Sequence, residues 1–159
     1  AIKSKNAPSA IVLSRQKLPY INPSFSKENK TKLGAYLVKA TAEKNSITLL
    51  ATGSEVELAL NVQSALKQYD IQSKVVSMPC QELFDKQTEK YKKNILEQDT
   101  LIVTIEAGNI SSWQKYLGEK DISMGISRFG ESAPYKKIYE HLNLSVEKIV
   151  DTIQKQLRK

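Results

Sequence analysis

From residue 33 onward, short apolar runs alternate with stretches that carry apolar residues at helical spacing. Runs of strand length lie at 33–38, 46–51, 73–78, 100–105 and 122–126. The run at 46–51 has the continuous apolar character of a strand buried on both faces. Strands that alternate with helices predict a mostly parallel sheet that is covered by helices on both sides.

The helix boundaries have recognisable sequence signals. Ser54 and Glu57 form an S-x-x-E pattern, which predicts a capping box at the start of the helix after the second strand. Pro134 suits the first turn of a later helix, and Ser145 is a good cap for the last one. Short helices are expected at 80–95 and at 111–117. The predicted stripe of the first helix comprises Leu58, Ala59, Val62, Ala65, Leu66 and Tyr69.

Residues 1–32 have a different pattern and are predicted to form an arm and linker in front of one α/β domain at 33–159. The run Ser9–Ser14 is apolar enough for a strand, but Pro19 and Pro23 interrupt the segment after it. A strand at 9–14 has no sequential neighbour to pair with, so we expect it to join the sheet of a preceding domain. The first residue is Ala1, with neither an initiator Met nor the apolar core of a signal peptide, and this favours a piece of a longer polypeptide.

Composition narrows the class of protein. The chain of 159 residues carries a formal net charge of +7, but its lysines are spread along the sequence and few of its cations are arginine. This favours a solvated lysine-rich surface over nucleic-acid binding. A single cysteine excludes an internal disulfide and fits a reducing, cytoplasmic compartment. No apolar stretch is long enough for a transmembrane helix, so no membrane partner is expected.

The candidate chemistry lies in turns at strand ends. The turn Thr52-Gly-Ser54 is placed where α/β folds bind anions, but Glu55 and Glu57 repel an anion and favour a structural helix start. Glu106 and Glu131 form an acid/base pair only if folding brings them together.

Other single residues favour structural roles. His141 lies beside an apolar helix stripe, and Cys80 follows a strand, so a structural role is favoured for each. One histidine and one cysteine cannot make the usual zinc sites.

Arg15 stands apart from these candidates. It lies at the carboxyl end of the predicted strand in the arm. Its planar guanidinium fits a phosphate dianion better than any lysine of the chain does.

Eight motifs stand in order over essentially the whole chain. They are Pro8-Ser-Ala-Ile-Val-Leu-Ser-Arg-Gln16, Gly34-Ala-Tyr36, Ala51-Thr-Gly-Ser-Glu-Val-Glu-Leu58, Val75-Val-Ser-Met-Pro79, Phe84-Asp-Lys-Gln87, Glu106-Ala-Gly108, Trp113 with Lys115-Tyr116, and Phe129-Gly-Glu-Ser-Ala-Pro134. Each is weak alone, but the set in register is specific, and together they resemble the last quarter of transketolase.

This resemblance implies a fold and an activity for the parent enzyme. Transketolases move a two-carbon ketol unit between sugar phosphates with thiamine diphosphate and Mg²⁺ or Ca²⁺, and their active sites lie at the interface of a homodimer. By resemblance, the chain is the C-terminal domain with the last strand of the pyrimidine-binding domain. The implied fold is a three-layer α/β/α sandwich whose five-stranded mixed sheet has one antiparallel strand, here at 33–38.

The resemblance also implies roles for single residues. It assigns substrate-phosphate binding to Arg15 and to no other residue of the chain. The catalytic histidines, the cofactor-activating glutamate and the metal ligands of the family have no counterparts here, so no catalytic, cofactor-binding or metal-binding residue is expected. Cys80 departs from many relatives, which have Ser after the Met-Pro pair.

We therefore expect a C-terminal transketolase fragment that is inactive alone and contributes packing, subunit contacts and Arg15. Two alternatives stay open. One is a stand-alone binding or regulatory α/β module. The other is the C-terminal part of a related thiamine-diphosphate enzyme such as deoxyxylulose-phosphate synthase.

Overall fold

The computed structural model describes residues 8–14, 16–21, 29–97 and 99–159. Its strands are β1 (Tyr36–Ala40), β2 (Ile47–Ala51), β3 (Ser73–Ser77), β4 (Leu101–Ile105) and β5 (Ile122–Met124). Its α-helices are α1 (Glu55–Lys67), α2 (Gln81–Asp85), α3 (Glu89–Leu96), α4 (Tyr135–His141) and α5 (Val146–Leu157). Two 3-10 helices lie at Lys30–Leu33 and Ile110–Tyr116.

The strands form one five-stranded mixed sheet in the order β1-β3-β2-β4-β5. β1 runs antiparallel to β3, and the other three pairs are parallel. The antiparallel first strand and the parallel remainder confirm the predicted fold class. In the parallel register Ala51 lies beside both Ser77 and Ile105, so β2, β3 and β4 end at the same edge. Residues that follow these strands are therefore brought together.

A hydrophobic cluster covers each face of the sheet and gives the three predicted layers. On one face, α1 and α5 pack their apolar stripes on the sheet through residues such as Val62, Leu66 and Ile153. On the other face, Phe84 of α2, Ile95 of α3 and Trp113 pack against alternate residues of the same strands. The central strands β2 and β3 are buried along their whole length, as the continuous apolar run at 46–51 predicts.

The first strand of the sheet lies later in the chain than predicted. The predicted range is 33–38, whereas β1 comprises Tyr36–Ala40 and is preceded by the 3-10 helix. Gly34 separates the two elements with a φ of +81°, and a Cβ at this position would lie 2.1 Å from the Phe84 nitrogen. The chain therefore turns at Gly34, and residues before it cannot continue the strand.

Among the described residues no strand forms at 9–14, and its expected pairing with the sheet of a preceding domain stays a prediction. Residues 8–14 have no regular secondary structure, and Ile11, Val12 and Leu13 are largely exposed. A strand needs a neighbour for its backbone hydrogen bonds, and the described sheet offers none to this segment.

Within the described ranges, no helix combines the length and the apolar character that crossing a membrane requires.

Candidate functional site

The shared carboxyl edge of β2, β3 and β4 is where the sequence-predicted candidates meet. The turn Thr52-Gly-Ser54 follows β2, and Glu106 follows β4. The loop that contains Cys80 follows β3. In parallel α/β sheets this edge is the usual place for ligands.

The predicted capping box at Ser54 is wrong. Ser54 immediately precedes α1, but its side chain makes no capping hydrogen bond to the helix backbone. Its hydroxyl donates instead to Oε1 of Glu55 at 2.8 Å. The neighbouring buried carboxylate needs a donor, and this need takes the hydroxyl away from the cap. At Ser145 the predicted cap is confirmed, because its Oγ accepts from the backbone N–H of Lys148 at 3.4 Å.

Glu55 is the most deeply buried acid of this edge, with 4% of its surface exposed. Oε1 of Glu55 also accepts a 2.5 Å hydrogen bond from the hydroxyl of Tyr139 on α4. Burial, and then this hydrogen bond to Glu55, raise the pKa of the Tyr139 hydroxyl well above its usual range. Tyr139 therefore stays protonated, and its hydrogen bond to Glu55 connects α4 to the start of α1.

Glu106 faces Glu55 and not Glu131. Its Oε2 accepts from Nε1 of Trp113 at 3.3 Å. Burial raises the pKa of Glu106, the negative charge of Glu55 raises it further, and the Trp113 hydrogen bond opposes both. Glu131 lies with other partners, because its Oε1 is 3.0 Å from Arg128 and 3.2 Å from His141. The structure therefore does not bring Glu106 and Glu131 together, as an acid/base pair would require.

Two other residues from the sequence analysis, Cys80 and His141, have side-chain partners within the domain. Cys80 immediately precedes α2, and its Sγ donates to Oε2 of Glu82 at 3.4 Å. His141 is exposed at the end of α4 beside Glu131. Arg15, the predicted phosphate ligand, lies outside the described residues.

Two clefts flank the first turns of α1. One, of about 300 Å³, lies between α1, α4 and the start of α5, and Gln16, Lys17 and Leu18 of the arm form part of its wall. We call it the Leu18 cleft. The other, of about 330 Å³, lies between α1 and β1 and contains Ile21 in its wall. We call it the Ile21 cleft.

Among the described residues, no group of three or more His, Cys, Asp or Glu side chains is placed to hold a metal ion. An anion at this edge would bind at the start of α1. The first turn of that helix carries Glu55 and Glu57, and Glu106 lies near enough to interact with the charge of Glu55. These carboxylates repel a diphosphate, so this edge does not fit a phosphorylated cofactor.

Glu55 and Tyr139 are the interacting pair that the sequence did not predict as a site. They are 84 positions apart, and no local spacing signals that α4 crosses the start of α1. Only the combination of strand order with helix placement brings them together.

Comparison with known proteins places the chain in a family. Residues 34–145 match the family model of the transketolase-like C-terminal domain. The transketolase of Aquifex aeolicus is 37% identical over 155 residues, which cover 96% of this chain and 22% of that protein. The chloroplastic transketolase of Solanum tuberosum is 39% identical over 94% of this chain and 20% of its own length.

A solved structure agrees with these matches. The structure of a transketolase variant from Pichia stipitis superposes with a TM-score of 0.80 at 32% identity, over 91% of this chain and 20% of that one. The chain thus spans about a fifth of the relatives that it matches. On this sequence and structural similarity, the chain belongs to the transketolase family, in the part that forms the C-terminal domain.

Proposed function

We propose that this chain acts as the C-terminal part of a transketolase, which transfers a two-carbon ketol unit from a ketose phosphate to an aldose phosphate. The observation that carries the proposal is that nearly the whole chain aligns with about a fifth of a transketolase. Three of the motifs that resemble the family, at 51–58, 75–79 and 106–108, lie where β2, β3 and β4 end at the shared edge of the sheet.

Within that enzyme, the domain is proposed to be non-catalytic. Glu106 and Glu131 lie in separate surroundings, and the buried acid Glu55 has two hydroxyl donors within the domain. The role proposed for the domain is to hold its neighbours in place, including a second subunit of a homodimer.

We propose that thiamine diphosphate and its divalent cation, Mg²⁺ or Ca²⁺, bind to other domains of the enzyme. The carboxylates in the first turn of α1 repel a diphosphate, and this supports the placement. A cytoplasmic location, with no nucleic-acid or membrane partner, is proposed from the single cysteine and the dispersed lysines.

Arg15 is proposed to bind the phosphate of the sugar substrate. Its support is the Leu-Ser-Arg-Gln motif of the sequence and the geometry of the guanidinium, whose parallel N–H groups fit a phosphate. A hydrogen bond to a charged group contributes about 1.5–3 kcal/mol, which corresponds to roughly 10–100-fold in affinity.

Two measurements test this function. The isolated chain, supplied with thiamine diphosphate, Mg²⁺ and sugar phosphates, is expected to transfer no ketol unit. In the complete enzyme, Arg15→Ala is expected to raise KM for a phosphorylated sugar roughly 10–100-fold. Arg128→Ala is the matched control, because Arg128 pairs with Glu131 on the surface. Ketol transfer by the isolated chain, or an unchanged KM in Arg15→Ala, would overturn the respective part of the proposal.

A further inference from the structure

The helix α4 buries very little of itself in the domain. Residues 125–143, which contain this helix, are all exposed or only partly buried, and the next buried side chain is that of Leu144. Asn143 has a φ of +60°, so the helical backbone of α4 ends directly before Leu144. A segment that buries little apolar surface opens at a low cost in free energy. Single contacts therefore decide how firmly α4 is held.

The side chain of Tyr139 links α4 to α1. Its hydroxyl donates to Oε1 of Glu55, which is 4% exposed, and a hydrogen bond to a buried carboxylate is stronger than one between neutral groups. Tyr135, one turn earlier, packs edge-on against Tyr139 with ring centroids 5.8 Å apart. The ring of Tyr135 is about half exposed. The two tyrosines thus share one helix and one ring contact, but the hydroxyl of Tyr139 is the one that reaches Glu55.

The arm lies in the cleft that α4 and α1 form together. Residues 16–18 are part of the wall of the Leu18 cleft, with Leu58 contributed by α1 and Tyr139 contributed by α4. Leu18 is 40% exposed there, whereas Leu13, earlier in the arm, is 82% exposed. If α4 moved away from α1, Leu18 would lose one of the two walls that cover it.

We propose that α4 is a latch that retains residues 16–18 of the arm in the Leu18 cleft, and that the hydrogen bond from Tyr139 to Glu55 keeps the latch closed. In the closed state these residues lie between α1 and α4. When α4 moves away about Asn143, the wall that Tyr139 supplies is lost and residues 16–18 are released. Ile21 stays packed in the Ile21 cleft, and the sheet stays folded. One hydrogen bond thus controls how far the arm is attached to the domain.

The test compares Tyr139→Phe with Tyr135→Phe in the full chain. Each substitution removes one hydroxyl from α4 and keeps the aromatic ring, but only the change at 139 removes the hydrogen bond to Glu55. A lysine-specific protease cuts after Lys17 in proportion to the fraction of molecules that have released the arm. Mass spectrometry of the fragment that ends at Lys17 measures this rate. It is expected to rise about 10-fold in Tyr139→Phe, or about 1.4 kcal/mol, and to change less than about 2-fold in Tyr135→Phe.

Two further readouts separate opening of the latch from unfolding of the domain. Opening exposes little surface, so about 1 M urea should raise the rate of cleavage after Lys17 less than about 2-fold, whereas unfolding of the whole domain would raise it roughly 5-fold or more. Amide hydrogen exchange in α4 should accelerate by the same factor as the cleavage in Tyr139→Phe.

Three results would overturn the latch. If the two tyrosine variants are cleaved at the same rate, the hydrogen bond to Glu55 does not keep α4 closed. If urea raises the cleavage rate steeply, the arm is released only when the whole domain unfolds. If α4 exchanges faster in Tyr139→Phe while cleavage after Lys17 does not change, α4 does not retain the arm.

Discussion

A carboxylate that leaves water loses its hydration and needs hydrogen-bond donors in return, and Glu55 obtains two hydroxyl groups, from Ser54 and Tyr139. Its position in the first turn of α1 adds the favourable interaction of a negative charge with a helix N-terminus. Glu106 is less well supplied, because its hydrogen bond to Trp113 is 3.3 Å long and Glu55 lies nearby. The two acids of this edge therefore differ in how well the fold accommodates their charge.

Glu106→Gln is expected to stabilise the domain at pH 7. Burial, reinforced by the charge of Glu55, raises the pKa of Glu106 in the folded state. Protonated Glu106 is then compatible with the fold, whereas its ionisation above the folded pKa destabilises the fold. Glutamine cannot ionise and keeps an oxygen for Trp113, so the gain should be present at pH 7 and absent below the ordinary glutamate pKa of about 4.3. Urea unfolding of both proteins from pH 3 to pH 8 measures it.

The control for this pH dependence is Glu147→Gln, for which the opposite sign is expected. Hydrogen bonding of the Glu147 carboxylate to its own backbone N–H, and then to Ser145, lowers the pKa of Glu147. Its ionised form therefore contributes stability above the unfolded pKa that is lost as the pH falls. Glu147→Gln should be less stable than the parent at pH 7 and equal to it near pH 3. A loss of stability in Glu106→Gln that is the same at pH 3 and pH 7 would contradict the assignment.

The residues of the site show what one sequence can and cannot specify. The pattern places Glu55 at a helix start and Glu106 at a strand end, because both positions follow from local periodicity. Their approach depends on strand order, since β2 and β4 are neighbours in the sheet but not in the sequence. The same limit explains the capping box at Ser54, where a tertiary contact of Glu55 overrides a local signal.

At the scale of elements, a buried lysine connects α3 to β3. Lys74 of β3 has a side chain that is 4% exposed, and its Nζ lies 3.1 Å from Oε1 of Glu97. Nζ also donates to the carbonyl of Asn94 at 3.2 Å. Burial lowers the pKa of Lys74, and the hydrogen bond and charge of Glu97 oppose this shift. The ammonium of Lys74 therefore holds the end of α3 against the sheet, and Glu97 supplies the counter-charge that this buried ammonium needs.

Glu97→Gln is expected to lower the free energy of unfolding by about 1–2 kcal/mol, because a buried ammonium loses its counter-charge while partial exposure of Glu97 moderates the cost. The control is Glu89→Gln, at the first residue of α3, whereas Glu97 directly follows the last residue of that helix. Glu89 pairs with Lys92 three residues later at the surface, where water screens the interaction and an ion pair adds little to stability. Equal losses in the two variants, measured by urea unfolding at pH 7, would show that the Lys74 contact contributes no more than a surface ion pair.

The elements themselves are largely predictable. All five strands overlap the predicted ranges, and β2 and β4 are the clearest, because a strand buried on both faces favours a nearly continuous apolar run. β3 is buried as well, although only Val75 and Val76 of its five residues are apolar. The error at β1 lies where local pattern is insufficient, because Leu33 belongs to a 3-10 helix that the turn at Gly34 separates from the strand. The apolar run at 9–14 has no strand beside it among the described residues, and its expected pairing with another sheet stays a prediction.

At the scale of the whole molecule, the chain is an α/β/α domain with an arm that is attached at only one part of its described length. Residues 8–14 place three large apolar side chains in solvent, which a folded protein normally covers. Residues 16–21 use two apolar side chains to attach to α1. The free energy of unfolding of the domain should therefore depend on residues 16–21 and not on residues 8–14.

Two deletions separate these contributions. Removing residues 1–14 is expected to leave the Tm of the chain unchanged, since the described residues of that segment lie outside the core. Removing residues 1–21 uncovers the apolar surface under Leu18 and Ile21, which costs about 1–2 kcal/mol and lowers the Tm by roughly 3–6 °C. The full chain that carries Leu18→Ala together with Ile21→Ala is the control, and it should reproduce most of the second shift because it keeps the backbone and removes the packing. If the shorter deletion lowers the Tm as much as the longer one, residues 16–21 are not what attaches the arm to the domain.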